Sequence, residues 1–472
     1  MSTIIRNGSL VTPAETFHAD LLIVDGVIQE VGEHINYRAD EEIDAAGLFV
    51  LPGGVDAHVH LDLPMAGTVS SDDHYTGTKA AAFGGTTTVI DFISQDSDDL
   101  PALVKAARKK ADAKAAVDYS YHMNITHYNE AVDRAIPELA KEGITSLKVF
   151  TAYNGRLRLQ DSEILQVLRT ARKAGMLTMM HAENGDVIDL LIQEALDARH
   201  LEPIWHAKTR PAWGAAESVA TGAGLAATAD APLYIVHMNA AGEVDQLEYA
   251  RSQGIKVMGE TCPQYLCFTE ESLERPDGAK WVCSPPVRTE SDQDRLWEGL
   301  KDGVLQTIAT DHCPFFFDGS KAIEYEGTLV AIPGKELGKD DFTKIPNGLP
   351  GIGDRMPVLW TEMVASGRFS MNEFVKLTCA NPARIFGMYP QKGCLLPGAD
   401  ADIVLWDPKM KVSYGRKYSK QRTDYNLYEG WNLTGFPVRV LSHGKTIVEN
   451  GKWYGKAGEG KFVACKAGNE VL

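Results

Sequence analysis

The sequence lacks the segments that would place a protein in or across a membrane. Its first residues, MSTIIRNGSL, have no basic stretch followed by an apolar stretch, which a signal peptide requires. A spanning helix needs about 18 or more apolar residues in a row, and no uninterrupted apolar run approaches that length. We therefore expect neither export nor membrane insertion.

Positive charge is scarce relative to negative charge. The 472 residues include 47 lysines and arginines against 64 aspartates and glutamates, a formal net charge of −17. Nucleic-acid binding depends on a basic surface that neutralises phosphates, and an anionic membrane surface makes the same demand. We expect no nucleic acid and no membrane among the partners.

Cysteines are few and show no pairing pattern. There are seven, an odd number, and no two are spaced as CxxC. Scattered cysteines without a secretion signal are typical of reduced thiols in a reducing compartment. We therefore predict a cytoplasmic location.

The two ends of the chain resemble each other and differ from the middle. Both ends are rich in short strands and contain turn dipeptides typical of tight β-hairpins: Asp25-Gly26, His443-Gly444 and Asn450-Gly451. Neither end alone can bury a sufficient core. We therefore predict that 1–52 and 390–472 pair into one small β-sandwich domain, with 53–389 inserted between them.

The middle alternates apolar, β-branched runs with helical stretches, the pattern of βα units around a parallel sheet. Eight such units over this length predict a (β/α)₈ TIM barrel. The predicted strands are 55–60, 86–92, 118–126, 146–153, 176–183, 232–239, 256–262 and 306–312.

Ionisable residues lie at the carboxyl ends of five of these strands, where barrels of this type place their chemistry. A single strand histidine usually packs in the core, but four histidines and an aspartate at one barrel mouth are improbable by chance. Imidazole and carboxylate are natural ligands of Zn²⁺ and similar ions. The candidate residues are His58, His60, Lys148, His181, His237 and Asp311, whereas His122, His127 and His206 lack this placement.

Lys148 lies inside the apolar strand SLKVF. Burial disfavours the charged ammonium and lowers its pKa, which gives a nucleophilic neutral amine. Such an amine can react with CO₂ to form a carbamate, an anionic ligand with two oxygens that can bridge two metal ions. The alternative is a lysine that extends to solvent; the neighbouring histidines favour the carbamate.

Taken together, these motifs resemble the cyclic amidohydrolases of the amidohydrolase superfamily, and the resemblance covers essentially the whole chain. The metal-ligand motifs are HVH (58–60), SLKVF (146–150), HAEN (181–184), IVHMN (235–239) and ATDH (309–312). Three further segments are similar to the dihydropyrimidinase and D-hydantoinase group: GGTTTVIDF (84–92), CSPPVR (283–288) and IPNGLPGI (345–352).

The resemblance implies a site for two divalent metal ions per subunit, with Zn²⁺ as the expected metal. His58, His60 and Asp311 would hold the more buried ion. His181 and His237 would hold the more exposed one. It also implies a homotetramer or homodimer.

The resemblance also implies that Lys148, as N6-carboxylysine, and a hydroxide would bridge the two ions. The hydroxide would attack the ring carbonyl of a dihydropyrimidine or a 5-substituted hydantoin and give an N-carbamoyl amino acid. Asp311 would take the proton and return it to the leaving nitrogen, and Tyr153 would donate to the developing oxyanion.

Other positions are assigned to the substrate through the same resemblance. Ser284 and Asn347 would bind the imide and ureido edge of the ring, largely through the backbone, and Thr289 follows in the first of these loops. The ring substituent would contact Leu63, Met65, Phe150 and Leu157. The preferred substituent and enantiomer are not predicted.

The sequence leaves three rival interpretations. Dihydroorotases typically have an arginine after the histidine pair to bind a substrate carboxylate; here Asp62 stands there and would repel an anionic ring. An allantoinase-type ureide hydrolase and a non-catalytic dihydropyrimidinase-like scaffold protein are the alternatives. The scaffold is disfavoured because every expected metal ligand is present.

Overall fold

The computed structural model describes residues 2–468. Strands at the start of the chain are β1 (Ser2–Val11), β2 (Thr16–Val24), β3 (Val27–Gly32), β4 (Glu41–Asp44) and β5 (Phe49–Pro52). The middle contains β6 (Gly54–Val59), β7 (Pro64–Met65), β8 (Thr68–Val69), β9 (Thr86–Ile93), β10 (Asp118–Asn124), β11 (Ser146–Phe150), β12 (Leu177–His181), β13 (Leu233–Ile235), β14 (Val257–Thr261), β15 (Thr307–Ile308), β16 (Ile323–Tyr325) and β17 (Thr328–Val330). The last strands are β18 (Ile403–Ser413), β19 (Asn432–Ser442), β20 (Lys445–Glu449) and β21 (Lys452–Trp453).

Helices separate the strands of the middle region. They are α1 (His74–Phe83), α2 (Leu100–Asp112), α3 (Glu130–Lys141), α4 (Asp161–Lys173), α5 (Gly185–Asp197), α6 (Ile204–Lys208), α7 (Ala212–Ala229), α8 (Ala241–Ser252), α9 (Pro263–Cys267), α10 (Glu290–Lys301), α11 (Arg355–Leu359), α12 (Met371–Val375), α13 (Asn381–Ile385) and α14 (Arg416–Ser419). Short 3₁₀ turns lie at Glu270–Glu274, Gly278–Trp281, Lys335–Gly338 and Phe342–Lys344, and π turns at Trp360–Ala365 and Lys376–Ala380. Over residues 2–468, none of these helices combines the length and apolarity needed to cross a membrane.

Eight parallel strands form the barrel sheet, in the order β15-β14-β13-β12-β11-β10-β9-β6. The ring is brought together by a parallel bridge between Val59 and His312 and by the His60 amide, which donates to the His312 carbonyl at 2.7 Å. The predicted (β/α)₈ barrel is confirmed. The strands ending near His237 and Asp311 are shorter than predicted because both residues adopt positive φ, which interrupts the ladder.

The two ends of the chain join in a second sheet of nine strands, where β5 pairs antiparallel with β18. The predicted pairing of the ends is therefore confirmed. The three predicted hairpin turns also occur, and both central residues of each have the positive φ of a type I′ turn: Asp25 (51°) with Gly26 (84°), His443 (46°) with Gly444 (70°), and Asn450 (48°) with Gly451 (73°).

The last described segment leaves the nine-stranded sheet and runs along the barrel. The Val463 amide donates to the Tyr119 carbonyl at 2.8 Å, and the Cys465 amide donates to the Gly143 carbonyl at 2.9 Å. These contacts hold the segment against the starts of β10 and β11. The division into 1–52 with 390–472 and 53–389 stays a prediction.

Candidate metal centre

Two histidines and an aspartate meet where β6 and β15 end. The Nε2 atoms of His58 and His60 lie 3.1 and 3.2 Å from Asp311 Oδ1. The rings approach one another, with centroids 5.2 Å apart, because residues two apart in a strand share a face. Three of the predicted ligands are thus brought to one point.

The other two histidines complete the same cluster from β12 and from the end of β13. His181 Nδ1 and His237 Nε2 are 3.0 Å apart, so the two nitrogens face a common position. The ligand atoms of His58, His237 and Asp311 all lie within 4.8 Å of one another. The two groups of predicted ligands therefore form one centre.

Lys148 reaches the middle of this centre from β11. Its Nζ lies 3.0 Å from His58 Nε2 and 4.3 Å from the centroid of the Phe92 ring, and the residue is 3% exposed. Burial lowers the pKa of the amine to about 8, against the opposing pull of Asp311. The alternative prediction, a lysine that extends to solvent, is therefore wrong.

Three of the four clustered histidines are held in the form that binds a metal ion. Burial lowers the pKa of His60, of His181 and, most strongly, of His237. Neutral imidazole is the form that ligates a divalent ion. Although burial and the nearby Lys148 oppose it, Asp311 and Glu260 raise the pKa of the fourth, His58. With one carboxylate and one low-pKa amine among them, the clustered donors fit a pair of divalent metal ions.

A buried glutamate that sequence reasoning missed orients part of the centre. Glu260 Oε1 lies 2.8 Å from His58 Nδ1 and accepts the His237 amide at 3.2 Å, while Oε2 accepts the Tyr234 hydroxyl at 2.9 Å. A carboxylate on the outer nitrogen turns the inner nitrogen toward a metal. The available signal was an acid inside the apolar strand KVMGETC.

Glu183 orients the ring of His181 in the same way. Its Oε2 lies 2.8 Å from His181 Nε2 and 3.6 Å from an Arg210 nitrogen. Arg210 and His181 hold the pKa of this carboxyl at about 2 despite its burial. The ring is thus fixed with Nδ1 toward His237.

Three site residues have backbone conformations that are rare outside glycine. The φ angles are 69° at Tyr153, 41° at His237 and 52° at Asp311. Such left-handed conformations cost free energy and concentrate at functional sites. Here they turn side chains toward the mouth just where the strands end.

Of the predicted substrate residues, Tyr153 lies beside the metal centre, and a side-chain hydrogen bond links it to Ser284. The Tyr153 ring centroid is 5.1 Å from that of His181, and burial raises the pKa of its hydroxyl, which keeps the proton available for donation. Asn347 Nδ2 donates to Ser284 Oγ at 3.0 Å, which joins the two predicted loops. Thr289 instead caps α10, where its hydroxyl accepts the Asp292 amide at 3.4 Å.

The residues predicted for the ring substituent have different surroundings. The Phe150 ring is buried 5.9 Å from that of His181. Leu157 follows Tyr153 in a tight turn, with its amide donating to the Tyr153 carbonyl at 3.0 Å. Leu63 and Met65 are partly exposed at the β7–β8 hairpin.

The three histidines left out of the site differ from one another. His122 is buried against the Ala57 carbonyl, and His127 pairs with Asp98 at the surface. His206 is closer to function than expected, because its Nε2 lies 2.8 Å from the Cys283 carbonyl and 3.3 Å from Ser284 Oγ.

Asp62 has a different role from the one inferred for it. Its carboxylate lies 3.1 Å from Lys110, 3.7 Å from His74 and 3.9 Å from Lys114. These cations hold its pKa at about 2 although it is half buried. Because these cations already compensate its charge, Asp62 does not exclude an anionic ring by repulsion.

Comparisons with known proteins agree with this geometry. Residues 49–447 match the model of the amidohydrolase family. A D-hydantoinase of Geobacillus stearothermophilus is 42% identical over 98% of this chain and 96% of its own length. A D-hydantoinase of Streptomyces coelicolor is 41% identical over 98% and 97%.

Solved structures give the same relationship. A dihydropyrimidinase from Brevibacillus agri superposes with a TM-score of 0.95 at 43% identity, covering 100% of both chains. An L-hydantoinase from Arthrobacter aurescens superposes with a TM-score of 0.87 at 27% identity, covering 98% of this chain and 99% of that one. From the match over most of its length and these identities, the chain belongs to the amidohydrolase family.

Proposed function

We propose that this protein is a metal-dependent cyclic amidohydrolase that opens dihydropyrimidines and 5-substituted hydantoins to N-carbamoyl amino acids. The observation that supports it most is the convergence of all six predicted ligands at one barrel mouth. The names of the similar proteins support the substrate class. They give no support to the allantoinase-type or scaffold alternatives.

His58, His60 and Asp311 would hold one divalent ion, and His181 and His237 the other. Imidazole and carboxylate donors favour Zn²⁺. When bound, the pair of ions would lower the pKa of water and polarise the ring carbonyl.

Lys148 would join the two halves of the centre as N6-carboxylysine. Its neutral amine nitrogen attacks the carbon of CO₂ and loses one proton, which leaves an anionic carbamate with two oxygens. The lowered pKa and the absence of a carboxylate hydrogen bond to Nζ among the described residues support this reaction. An anion here also removes the repulsion that an ammonium would exert on metal ions.

Proton transfer falls to Asp311. Its Oδ1 lies 3.1 and 3.2 Å from the Nε2 atoms of His58 and His60, so the carboxylate is part of the cluster that would hold the metal ions and the attacking water. The carboxylate would accept that proton and deliver it to the ring nitrogen as the carbon–nitrogen bond breaks.

Tyr153, Ser284 and Asn347 would bind the ring. The protonated Tyr153 hydroxyl would donate to the carbonyl oxygen as negative charge develops on it. A cyclic ureide presents alternating N–H and C=O groups, which the backbone around Ser284 and Asn347 can match. Phe150 and Leu157, with Leu63 and Met65, would contact the ring substituent.

Location and assembly belong to the same proposal. All seven cysteines are free and six of them are buried, which supports a reducing compartment and hence the cytoplasm. The homotetramer or homodimer implied by the family resemblance is part of the proposal. Light scattering on the purified protein gives the number of chains.

The test is ring opening by purified, zinc-loaded protein. Rates on dihydrouracil, hydantoin and 5-phenylhydantoin are compared, with N-carbamoyl amino acids identified as products. We expect turnover of at least one of these rings. A metal-loaded protein that opens none of them contradicts the proposal.

A further inference from the structure

Lys335 is a buried lysine with no part in the metal centre. It is 1% exposed and lies in the short turn Lys335–Gly338. Its Nζ donates to the carbonyl of Val282 at 2.9 Å and to that of Pro346 at 3.1 Å. Among residues 2–468, no carboxylate pairs with this ammonium.

An apolar residue would be the cheaper choice for a position that served packing alone. Burying an ammonium costs free energy unless hydrogen bonds replace its hydration, and lysine is rarely fully buried without a charged partner. Burial accordingly lowers the pKa of Lys335 to about 7. The two carbonyls that it binds are therefore the feature that explains the residue type.

Those carbonyls belong to residues 282–288 and 345–352, which contain the segments CSPPVR and IPNGLPGI with the predicted substrate residues Ser284 and Asn347. We call these two segments the ring-binding loops. Val282 precedes Ser284 by two residues, and Pro346 immediately precedes Asn347. The Gly348 amide also donates to the Val282 carbonyl, at 3.1 Å. Lys335 thus bridges the loops directly behind the groups expected to meet the ring.

The ring-binding loops are fixed relative to the end of the eighth barrel strand. The Cys313 amide donates to the Leu349 carbonyl at 3.0 Å, and the Gly351 amide donates to His312 Nδ1 at 3.1 Å. The Lys335 amide donates to the Phe316 carbonyl at 2.7 Å. These contacts hold Lys335 and the loops in a fixed position relative to the end of the strand that carries Asp311.

We propose that Lys335 is a positioning residue that sets the separation of the two ring-binding loops and thereby the fit of the cyclic ureide ring. This inference rests on the proposed function. A rigid ring with N–H and C=O groups at fixed spacing is bound well only if its backbone partners keep that spacing. Loosening the loops weakens ring binding without removing any group that takes part in bond cleavage.

The test compares Lys335→Met with Lys339→Met, a matched change at an exposed lysine of the same segment. Losing the two hydrogen bonds that tie the ring-binding loops together should raise KM by about 10-fold or more. We expect that rise for dihydrouracil and for 5-phenylhydantoin alike, because the loops meet the ring and not its substituent. Metal content and kcat should stay near those of the wild type.

Lys335→Gln provides the rescue, since its amide keeps two N–H donors on a shorter side chain. We expect its KM to lie between those of Lys335→Met and the wild type, and Lys339→Met to match the wild type. The inference is overturned by an unchanged KM in folded, zinc-loaded Lys335→Met, or by a KM rise confined to 5-phenylhydantoin.

Loss of folding and metal together in both Lys335 variants would also overturn it, because the lysine would then be a general structural element. A wild-type protein that opens none of dihydrouracil, hydantoin and 5-phenylhydantoin contradicts the proposed function, and the inference falls with it. The wild-type measurement and the variant measurements therefore separate the two failures.

Discussion

Two buried lysines, Lys148 and Lys392, sit in opposite electrostatic surroundings. Lys148 lies among imidazoles, with its Nζ 3.0 Å from His58 Nε2. Lys392 lies among carboxylates, with its Nζ 2.7 Å from Asp402, 2.9 Å from Asp400 and in contact with Asp118. The two lysines are 3% and 2% exposed, so burial alone does not distinguish them.

The surroundings decide the protonation of each lysine. Burial lowers the pKa of Lys148 to about 8, whereas the carboxylates around Lys392 outweigh burial and raise its pKa. Asp118, Asp400 and His443 are close enough together to suggest a metal site, but the Lys392 ammonium already supplies the cation there. The comparison teaches that a cluster of donors indicates a metal only where no internal cation neutralises it.

Position in the barrel agrees with this difference. Asp118 is the first residue of β10 and so lies at the amino-terminal end of the barrel, where residues contribute to stability. The metal centre lies at the opposite end, where the strands have their carboxyl ends. We therefore expect changes at Lys148 to affect chemistry and changes at Lys392 to affect stability.

The largest effect is expected for Lys148→Ala. Removing the bridging ligand should reduce activity by on the order of 10³-fold or more, because several kcal/mol of metal-dependent stabilisation are lost. A short carboxylic acid added with Zn²⁺ should restore part of the rate. Undiminished activity would reject the carbamate.

Lys392→Met should instead destabilise the fold. It leaves Asp118, Asp400 and Asp402 without their buried cation, so the free energy of unfolding should fall by about 3–5 kcal/mol. Denaturant unfolding measures this, with the exposed Lys445→Met as control. Loss of bound metal in folded Lys392→Met would contradict the assignment of Lys392 to stability alone.

Tyr153→Phe tests whether the tyrosine hydroxyl at the metal centre takes part in the chemistry. Removing one donor to a developing oxyanion should lower kcat by about 10²–10³-fold, with a smaller change in KM and the same metal content. Steady-state kinetics beside Tyr249→Phe, a change at a tyrosine that is 64% exposed, provides the check. Equal kcat values in the two variants would remove Tyr153 from catalysis.

Glu260→Gln tests the residue behind the ligands. Weaker orientation of His58 should lower zinc affinity by about 10–100-fold, measured by competition with a chelator. The exposed Glu298→Gln serves as control. Unchanged affinity would mean that the histidine holds its orientation without Glu260.

The smallest effect concerns pH and the Lys392 cluster. Although burial opposes it, the hydrogen bond to Asp118 at 2.8 Å raises the pKa of His443 above its ordinary 6.5. A raised pKa means that the stabilising contribution is complete below pH 6.5 and is lost as pH rises through the folded-state value. The stability gap between the wild type and His443→Gln should therefore narrow from pH 6 to pH 9 in thermal unfolding; a gap that widens contradicts this.

Much of the candidate site was predictable because the barrel topology gathers the carboxyl ends of its strands. His58 and His60 needed only the two-residue period of a strand to be placed on one face. His181, His237 and Asp311 needed only the rule that parallel strands share one mouth. The three hairpin turns followed from local backbone preference.

The remainder depended on contacts that no sequence period encodes. Glu260 is 202 residues from His58 along the chain, and Lys335 meets Val282 through loops without a regular repeat. The compensation of Asp62 by Lys110 likewise required the packing of a helix against a loop. The strands near His237 and Asp311 end earlier than predicted, because the positive φ at these two residues interrupts the hydrogen-bonded ladder.

The most direct test of the account is the metal content of the wild type, Lys148→Ala and Lys392→Met, measured together after zinc loading. A two-metal site predicts about two ions per chain in the wild type and in folded Lys392→Met, with a clear loss in Lys148→Ala. Fewer than about one ion per wild-type chain, or equal loading of the wild type and Lys148→Ala, would contradict it.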